Sequence, residues 1–415
     1  MKARYVSERL RRTADGVNGR ITVLTGARQT GKTTLVRTCL SDYDYLSIED
    51  PVAANGLCLL TAAQWRTLYP KAALDEVQKR PQLVESIKSV YDQWEEPRYI
   101  LLGSSQLLLL NKVRESLAGR CTIEEIYPLT LPELETESAD DEVGDSPWQT
   151  LLATGEMPVL HPVFLLDPRY AVKMRAWEHY QRWGGYPALT DERPTDDDRR
   201  QRLRDYVRTY LERDVRDLAA MQDLEPYSRL QQAMALQTGS LCNITSLATH
   251  IGMSATTVKR YLQYLELSYQ TITLRPWERN EQRRLVKSPK VHYLDHGILQ
   301  AVLGKQAMPG GAEFESLVVA ELFKQARQVA PDARFYHLRT ADGREVDLLV
   351  ETQEGYYAFE IKLTEHVAAT DARHFQVVAD ILDKPLLHAF VLSNDPVCQS
   401  FAPTVTALHA AQFMG

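Results

Sequence analysis

From Arg20 to about Pro132 the chain alternates short apolar runs with stretches of helical spacing: ITVLTG, TTLVRTCL, YDYLSIED, KAALDE, QLVESIKSVYDQW and YILLGSS follow one another. Strand, helix, strand in that rhythm predicts a parallel α/β sheet. The texture then changes. Glu133 to Asp145 carries seven acids and no base, and with Gly144, Pro147, Pro158, Pro162 and Pro168 around it the stretch predicts a linker or exposed insertion, with a boundary near residue 140.

From Tyr170 to about Leu303 the pattern is mainly helical, with a charge-rich helix expected over Asp196 to Asp217. In NITSLATHIGMSATTVKRYLQYLEL, Ile244, Leu247, Ala248 and Ile251 share one face and Gly252 supplies a turn. Ser254 then caps a second helix that sends Val258, Leu262 and Leu265 inward and Thr256, Thr257, Lys259, Arg260 and Gln263 outward. Two wing-like strands are expected at Tyr269 to Leu274 and Val291 to Leu294. From Gly310 a helix, FESLVVAELFKQ, precedes the strands FYHLRT, REVDLLVE and YYAFEIK.

At 415 residues, with 44% apolar and 25% charged residues, the chain is long enough for about three globular domains, and wholesale disorder is excluded. The net charge of −7 resides in the acidic stretch, so the remainder is balanced and DNA must be met by a local patch. Arg275 to Lys290 is such a strip, with six bases against two acids. Its Arg283, Arg284 and Lys287, together with Lys259 and Arg260 of the second helix, are the candidate nucleic-acid contacts. The five cysteines are scattered without a CxxC pair, which argues for a reducing, cytoplasmic setting without disulfides or zinc. MKARYVSERLRR lacks the apolar segment of a secretion signal, and the run from Ile100 to Leu110 is too short to span a membrane.

The strongest chemical signal is GARQTGKTT. It fits GxxxxGK[ST] and sits between an apolar strand and a helix, as a phosphate loop must. Gly26, Ala27, Arg28, Gln29, Thr30, Gly31, Lys32, Thr33 and Thr34 would cradle the phosphates of ATP. Lys32 would neutralise the β- and γ-phosphates, and the Thr33 hydroxyl would ligate Mg2+. Ala72-Ala73-Leu74 runs into Asp75-Glu76, a Walker B reading in which Asp75 holds the metal and Glu76 orients or deprotonates the attacking water. Ser104, just past the strand Tyr99 to Leu102, is placed to sense the γ-phosphate. Arg120 has a catalytic role only if it reaches a neighbouring subunit's phosphate, so self-association is expected.

In the carboxyl-terminal strands a period of two turns Asp347 away from Val346, Leu348 and Val350. It sets Glu360 and Lys362 together opposite Phe359 and Ile361, with Gly355 as the turn between the strands. Carboxylates at Asp347 and Glu360 to bind a metal, Lys362 to position water, and Glu315 or Glu321 from the preceding helix would suit phosphodiester cleavage. The competing explanation is a structural salt bridge between Glu360 and Lys362.

Together these residues resemble a family of prokaryotic ATPases in which an AAA-type domain precedes a carboxyl-terminal domain of unknown function. GARQTGKTT, LDEVQKRP, ILLGSSQ and ESLAGR resemble its ATPase signatures. WGGYP, YLERDV, TVKRYLQYLE, KSPKVHYLDHG and REVDLLVE with FEIK resemble those of its second part. Lys71 in the short Walker B strand departs from the pattern, and residues 137–168 match no signature. The resemblance implies an α/β fold in three parts: an AAA-type P-loop ATPase domain over 1–140, a linker or insertion with a helical winged-helix domain over 141–305, and a restriction-endonuclease-like, PD-(D/E)xK nuclease-like domain over 306–415. The implied activity is ATP hydrolysis with Mg2+ in a DNA-associated protein, its nucleotide state controlling the winged-helix and nuclease-like module in the remodelling or processing of branched or foreign DNA. The alternative is a signalling or toxin–antitoxin type switch that binds a protein partner, with the nuclease-like fold inert.

Overall fold

The computed structural model describes the chain except for residues 17–18, 104–114, 212–222, 281–287, 306 and 341–342. The first five apolar runs form β1 (Ile21–Gly26), β2 (Asp44–Ser47), β3 (Lys71–Asp75), β4 (Arg98–Leu102) and β5 (Thr122–Ile126). All are parallel, in the order β2-β3-β4-β1-β5. β1 is buried along its whole length because both faces of a parallel sheet are covered. Ile21, Val23 and Leu101 meet Leu83 and Ile87 of the helix Pro81–Gln93 on one face. Leu24, Ile100 and Leu102 meet Leu10, Leu35 and Val36 of the helices Val6–Asp15 and Lys32–Cys39 on the other. With β4 between β1 and β3, the ends of the GARQTGKTT strand and the LDE strand emerge at the same edge.

The stretch expected to be a linker contributes to the core instead. Glu133 lies in the short helix Leu131–Glu135, fully buried, its carboxylate 3.2 Å from Arg4 Nε and accepting the Thr130 N–H. Glu135 pairs with Arg169. Two of the seven acids are thus consumed internally, and the exposed charge is confined to residues 137–145. Ser146 caps the helix Pro147–Thr154, and Trp148 is wholly buried, its Nε1 donating to Leu322 O at 3.0 Å while its ring meets Tyr357 and Phe359 edge-on. Composition marked the acids and prolines of this segment, whereas a single tryptophan decides where it lies.

The charge-rich helix runs Asp196–Asp205 and continues as a π-helical segment Tyr206–Leu211, and the rest of its expected span lies outside the described residues. Helices Glu225–Leu236, Ile244–Ile251 and Ala255–Leu267 enclose a core of Tyr227, Leu230, Leu247, Val258 and Leu265. Gly252 takes a left-handed φ of 68° at the turn, and Ser254 accepts the Thr257 N–H at 3.1 Å. β6 (Thr271–Pro276) and β7 (Lys290–Tyr293) fall where two strands were expected, and they pair antiparallel. β6 also pairs with β8 (Arg334–Arg339), which makes the hairpin the edge of a larger sheet. An isolated hairpin is marginal in water, and this pairing supplies its support.

That sheet continues through β9 (Glu345–Glu351), β10 (Tyr356–Ile361), β11 (Leu386–Ser393), β12 (Gln399–Ala402) and β13 (Val405–His409), ordered β12-β13-β11-β10-β9-β8-β6-β7. β8, β9 and β10 are antiparallel neighbours, while β11 runs parallel to β10. The helix Gly311–Val329 covers one face through Phe314, Leu317 and Val318. Phe375 and Val378 of the helix Phe375–Ile381 cover the other. Gly355 makes the β9–β10 turn, where a Cβ would stand 2.3 Å from Pro385 O.

Two outcomes follow. Trp148→Ala should lower stability by about 3–5 kcal/mol in denaturant melts, where a linker residue would change little. Burial pushes His179, His296, His388 and His409 down to about 4. A histidine depressed in the folded state contributes stability above its unfolded value, about 6.5, that is lost as pH falls through the folded value. The thermal midpoint should therefore fall steadily from about pH 6.5 to pH 4.

Candidate functional site

The phosphate loop leaves β1 at Gly26, whose φ of 150° allows an approach to Ile126 that a Cβ, 2.1 Å from its carbonyl oxygen, would forbid. Gln29 and Gly31 also take positive φ, 58° and 91°, which curls the backbone before the helix opens at Lys32. Lys32 is buried and its Nζ donates back to Gly26 O at 2.8 Å and Ala27 O at 2.7 Å. Thr30 closes the loop by donating to Ala27 O.

Across the edge of the sheet, Thr33 Oγ1 donates to Asp75 Oδ2 at 2.6 Å. The two residues expected to ligate Mg2+ therefore come together from 42 positions apart. A hydroxyl and a carboxylate are hard oxygen donors, the chemistry magnesium prefers, so the pair fits that ion. Tyr45 Oη donates to the same carboxylate oxygen at 2.6 Å. Its phenol is pushed up to about 12, first by burial and then by Asp75. Glu76 follows in the left-handed region at φ 60°, ψ 37°, with one oxygen accepting from Gln78 Nε2 at 2.7 Å. A non-glycine residue in that conformation costs on the order of 1 kcal/mol or more, and such strain concentrates at functional positions.

Loop and acids line a cavity of about 520 Å³ whose far wall is Leu129, Pro187, Ala188 and Thr190. The helical part of the chain thus reaches the phosphate loop, and Tyr206 Oη donates to Arg28 O at 3.1 Å. From the amino-terminal side, Arg4 donates to Thr30 O at 3.0 Å and Tyr127 O at 2.6 Å while pairing with Glu133. Arg4, Tyr45 and Tyr206 carry no motif of their own. WGGYP was the only signal for this wall, and what it does there depends on folding.

β4 ends beside the loop strand, with the Gly103 N–H directed at Leu24 O, and Ser104 lies outside the described residues. Arg120 lies at the surface, its Nε 2.8 Å from Asp92 Oδ1 of the same chain. Lys259 and Arg260 are exposed on the second helix of the helix–turn–helix, whereas Arg283, Arg284 and Lys287 fall outside the described residues. Lys290, counted in the basic strip, is buried, so that strip presents less charge than its composition suggests.

At the carboxyl-terminal acids, Asp347 Oδ2 accepts the Ile361 N–H at 2.9 Å. Burial, and then the neighbouring Glu360, pushes the Asp347 carboxyl up to about 6. Glu360 stands 2.5 Å from Lys362 Nζ and 3.2 Å from His374 Nε2, so the salt bridge weighed against a metal ligand is formed. Glu315 comes near through Lys290 Nζ, at 3.0 Å. Glu321 does not: it is fully buried elsewhere, 2.9 Å from Lys324 Nζ and accepting the Leu131 N–H. Among the described residues no three His, Cys, Asp or Glu side chains are arranged to hold a metal ion.

Comparison with known proteins decides the first part of the chain. The AAA domain family matches residues 18–135. This part is an AAA-type P-loop ATPase domain. Residues 174–308 and 310–412 match two families described as domains of unknown function, DUF8612 and DUF4143. Two uncharacterized proteins, Mb2031c of Mycobacterium bovis and Rv2008c of Mycobacterium tuberculosis, are each 29% identical over 376 residues, 88% of this chain and 74% of theirs. Among solved structures, the Walker-type ATPase PABY2304 of Pyrococcus abyssi aligns with 72% of this chain and 96% of its own at 13% identity, with a TM-score of 0.45. No helix among the described residues is long and apolar enough to cross a membrane.

For the ATPase domain, Glu76→Gln should retain nucleotide binding and slow turnover by about 10²-fold, and Lys32→Ala should abolish turnover. Phosphate release by both variants at the rate of the unaltered protein would remove the assignment.

Proposed function

We propose that the protein hydrolyses ATP with Mg2+ and uses nucleotide state to move a DNA-associated module made of the helix–turn–helix region and the carboxyl-terminal sheet. The observation that carries this reading is the nucleotide cavity, with phosphate loop and acids on one wall and Pro187, Ala188 and Thr190 on the other. A nucleotide held there touches both parts and shifts their equilibrium by as much as its affinities for the two arrangements differ.

The roles follow from the groups present. Lys32 exchanges its two carbonyl partners for the phosphates, Thr33 and Asp75 hold Mg2+, and Glu76 orients the attacking water and takes up its proton. Mg2+ supplies charge neutralisation on the phosphates. Ser104 is assigned the sensing of the γ-phosphate, and Arg120, released from Asp92, serves a neighbouring subunit in an oligomer.

The module reads as a winged helix joined to a PD-(D/E)xK nuclease-like fold. Support comes from the exposed Lys259 and Arg260, the β6–β7 hairpin, and the succession of a helix, three antiparallel strands, a helix and a strand parallel to β10. Glu315, Asp347, Glu360 and Lys362 occupy the nuclease-type positions. Remodelling of branched or foreign DNA is favoured over cutting, because these carboxylates already face cations of the chain itself.

A second reading, a signalling or toxin–antitoxin type switch acting on a protein partner with the nuclease-like fold inert, draws on the burial of Lys290, which thins the basic strip. ATP turnover measured with and without branched DNA separates the two. On the DNA reading, turnover rises with DNA, Lys259→Glu with Arg260→Glu loses the rise, and each lost phosphate contact lowers the log–log salt slope of binding by about 0.9. Turnover indifferent to DNA, and affinity unchanged by charge reversal at Lys259, Arg260, Arg283 and Arg284, would transfer the function to a protein partner.

A further inference from the structure

Lys290 opens β7 with its side chain almost wholly buried. Its Nζ stands 3.0 Å from Glu315 Oε1, 2.5 Å from Glu345 Oε1 and 3.6 Å from Asp347 Oδ1. Three elements of the carboxyl-terminal region, β7, the helix Gly311–Val329 and β9, therefore send one cation and three carboxylates to one point.

We propose that the Lys290 ammonium occupies the place of a divalent cation among these acids, making the nuclease-like centre a lysine-filled joint closed to metal. The inference rests on the nuclease-like reading of the carboxyl-terminal fold and states what fills its acid cluster. Donor accounting supports it first. Glu315, Glu345 and Asp347 share the ammonium, the second Asp347 oxygen accepts the Ile361 N–H, and one Glu360 oxygen pairs with Lys362 while the other lies 3.2 Å from His374 Nε2 without a hydrogen bond. A metal would have to displace these partners to bind.

Electrostatics supports it second. Buried carboxylates without a counter-charge are strongly destabilising, so a site built for a metal is left with unbalanced charge until the metal arrives. Here one positive charge among the three acids is covalently part of the chain, and the surrounding acids push the Lys290 ammonium up from its ordinary value despite burial. The adjacent imidazole does not contribute charge: His292 Nε2 lies 4.0 Å from Glu315, but burial and then Lys290 push it down to about 3, which keeps it neutral.

The placement of Lys290 also gives the joint reach. β7 runs directly into Asp295, whose carboxylate accepts the Gly185 N–H at 2.7 Å, two residues before the Pro187 that lines the nucleotide cavity. The charge cluster therefore fastens the carboxyl-terminal sheet to the segment that reaches the nucleotide.

Mn2+ binding to the full-length chain without nucleotide, followed by calorimetry and by the paramagnetic resonance of free Mn2+, tests the inference. The unaltered protein and Asp347→Asn should take up equal Mn2+. Lys290→Gln should gain one equivalent and recover thermal midpoint when Mn2+ is added, and Lys290→Gln with Asp347→Asn should lose both. Mn2+ taken up by the unaltered protein and lost in Asp347→Asn would overturn the proposal while leaving the nuclease-like reading intact. A folded Lys290→Gln that binds no extra Mn2+ would show that the acids form no metal-type arrangement, and would overturn both. If Lys290→Gln does not fold, the comparison of the unaltered protein with Asp347→Asn decides alone.

Discussion

Leu129 is the point at which the molecule is fastened together. Its N–H donates to Gly185 O at 2.6 Å and its carbonyl accepts from Lys324 Nζ at 2.9 Å. One residue thereby joins the end of the ATPase domain, the WGGYP segment and the long carboxyl-terminal helix. The Leu129–Gly185 contact is backbone to backbone, and it leaves no room for a side chain on Gly185. A Cβ on Gly185 would stand 2.2 Å from Leu129 O, one on Gly184 2.3 Å from Asp295 Oδ1, and one on Gly297 2.1 Å from Trp183 O. Gly184 additionally holds a φ of 74°. Gly185 and Gly297 are required where backbone meets backbone, and Gly184 where the Asp295 carboxylate comes in.

That junction explains two costly features. Lys324 and Glu321 are both fully buried, an arrangement whose desolvation often outweighs its Coulomb attraction. They are retained where their remaining capacity satisfies backbone groups of the junction: Lys324 the Leu129 carbonyl, Glu321 the Leu131 N–H. Asp295 behaves alike, pushed up by burial yet accepting the N–H of Gly185. Buried ionic groups here hold irregular backbone that no helix or sheet ladder could satisfy.

The same economy marks the two acid clusters, with opposite results. At the phosphate loop, the donors to Asp75 among the described residues are the neutral hydroxyls of Thr33 and Tyr45. At the carboxyl-terminal sheet, Glu315, Glu345 and Asp347 surround an ammonium and Glu360 lies against another. The first cluster sits at a strand end and the second combines strand acids with the helical Glu315, and the charge of their partners sets them apart.

The sequence by itself determined what depends on local spacing. GARQTGKTT after an apolar strand marked the phosphate loop, short apolar runs marked β1, β3 and β4, period-two alternation marked β9 and β10, and Gly252 with Ser254 marked the turn between two helices. Each is a statement about neighbouring residues, whose sterics and hydrogen bonds are fixed within a few positions. What required tertiary structure was every relation between distant segments. Tyr45 and Arg4 became part of the nucleotide site, Glu133 and Trp148 became core within a segment that composition had marked as linker, and Lys290 left the basic strip for a buried cluster. A charge or an aromatic ring has no assigned partner along the chain. Its burial depends on which elements meet, and that is decided only when apolar faces close on one another and each buried polar group must find its complement.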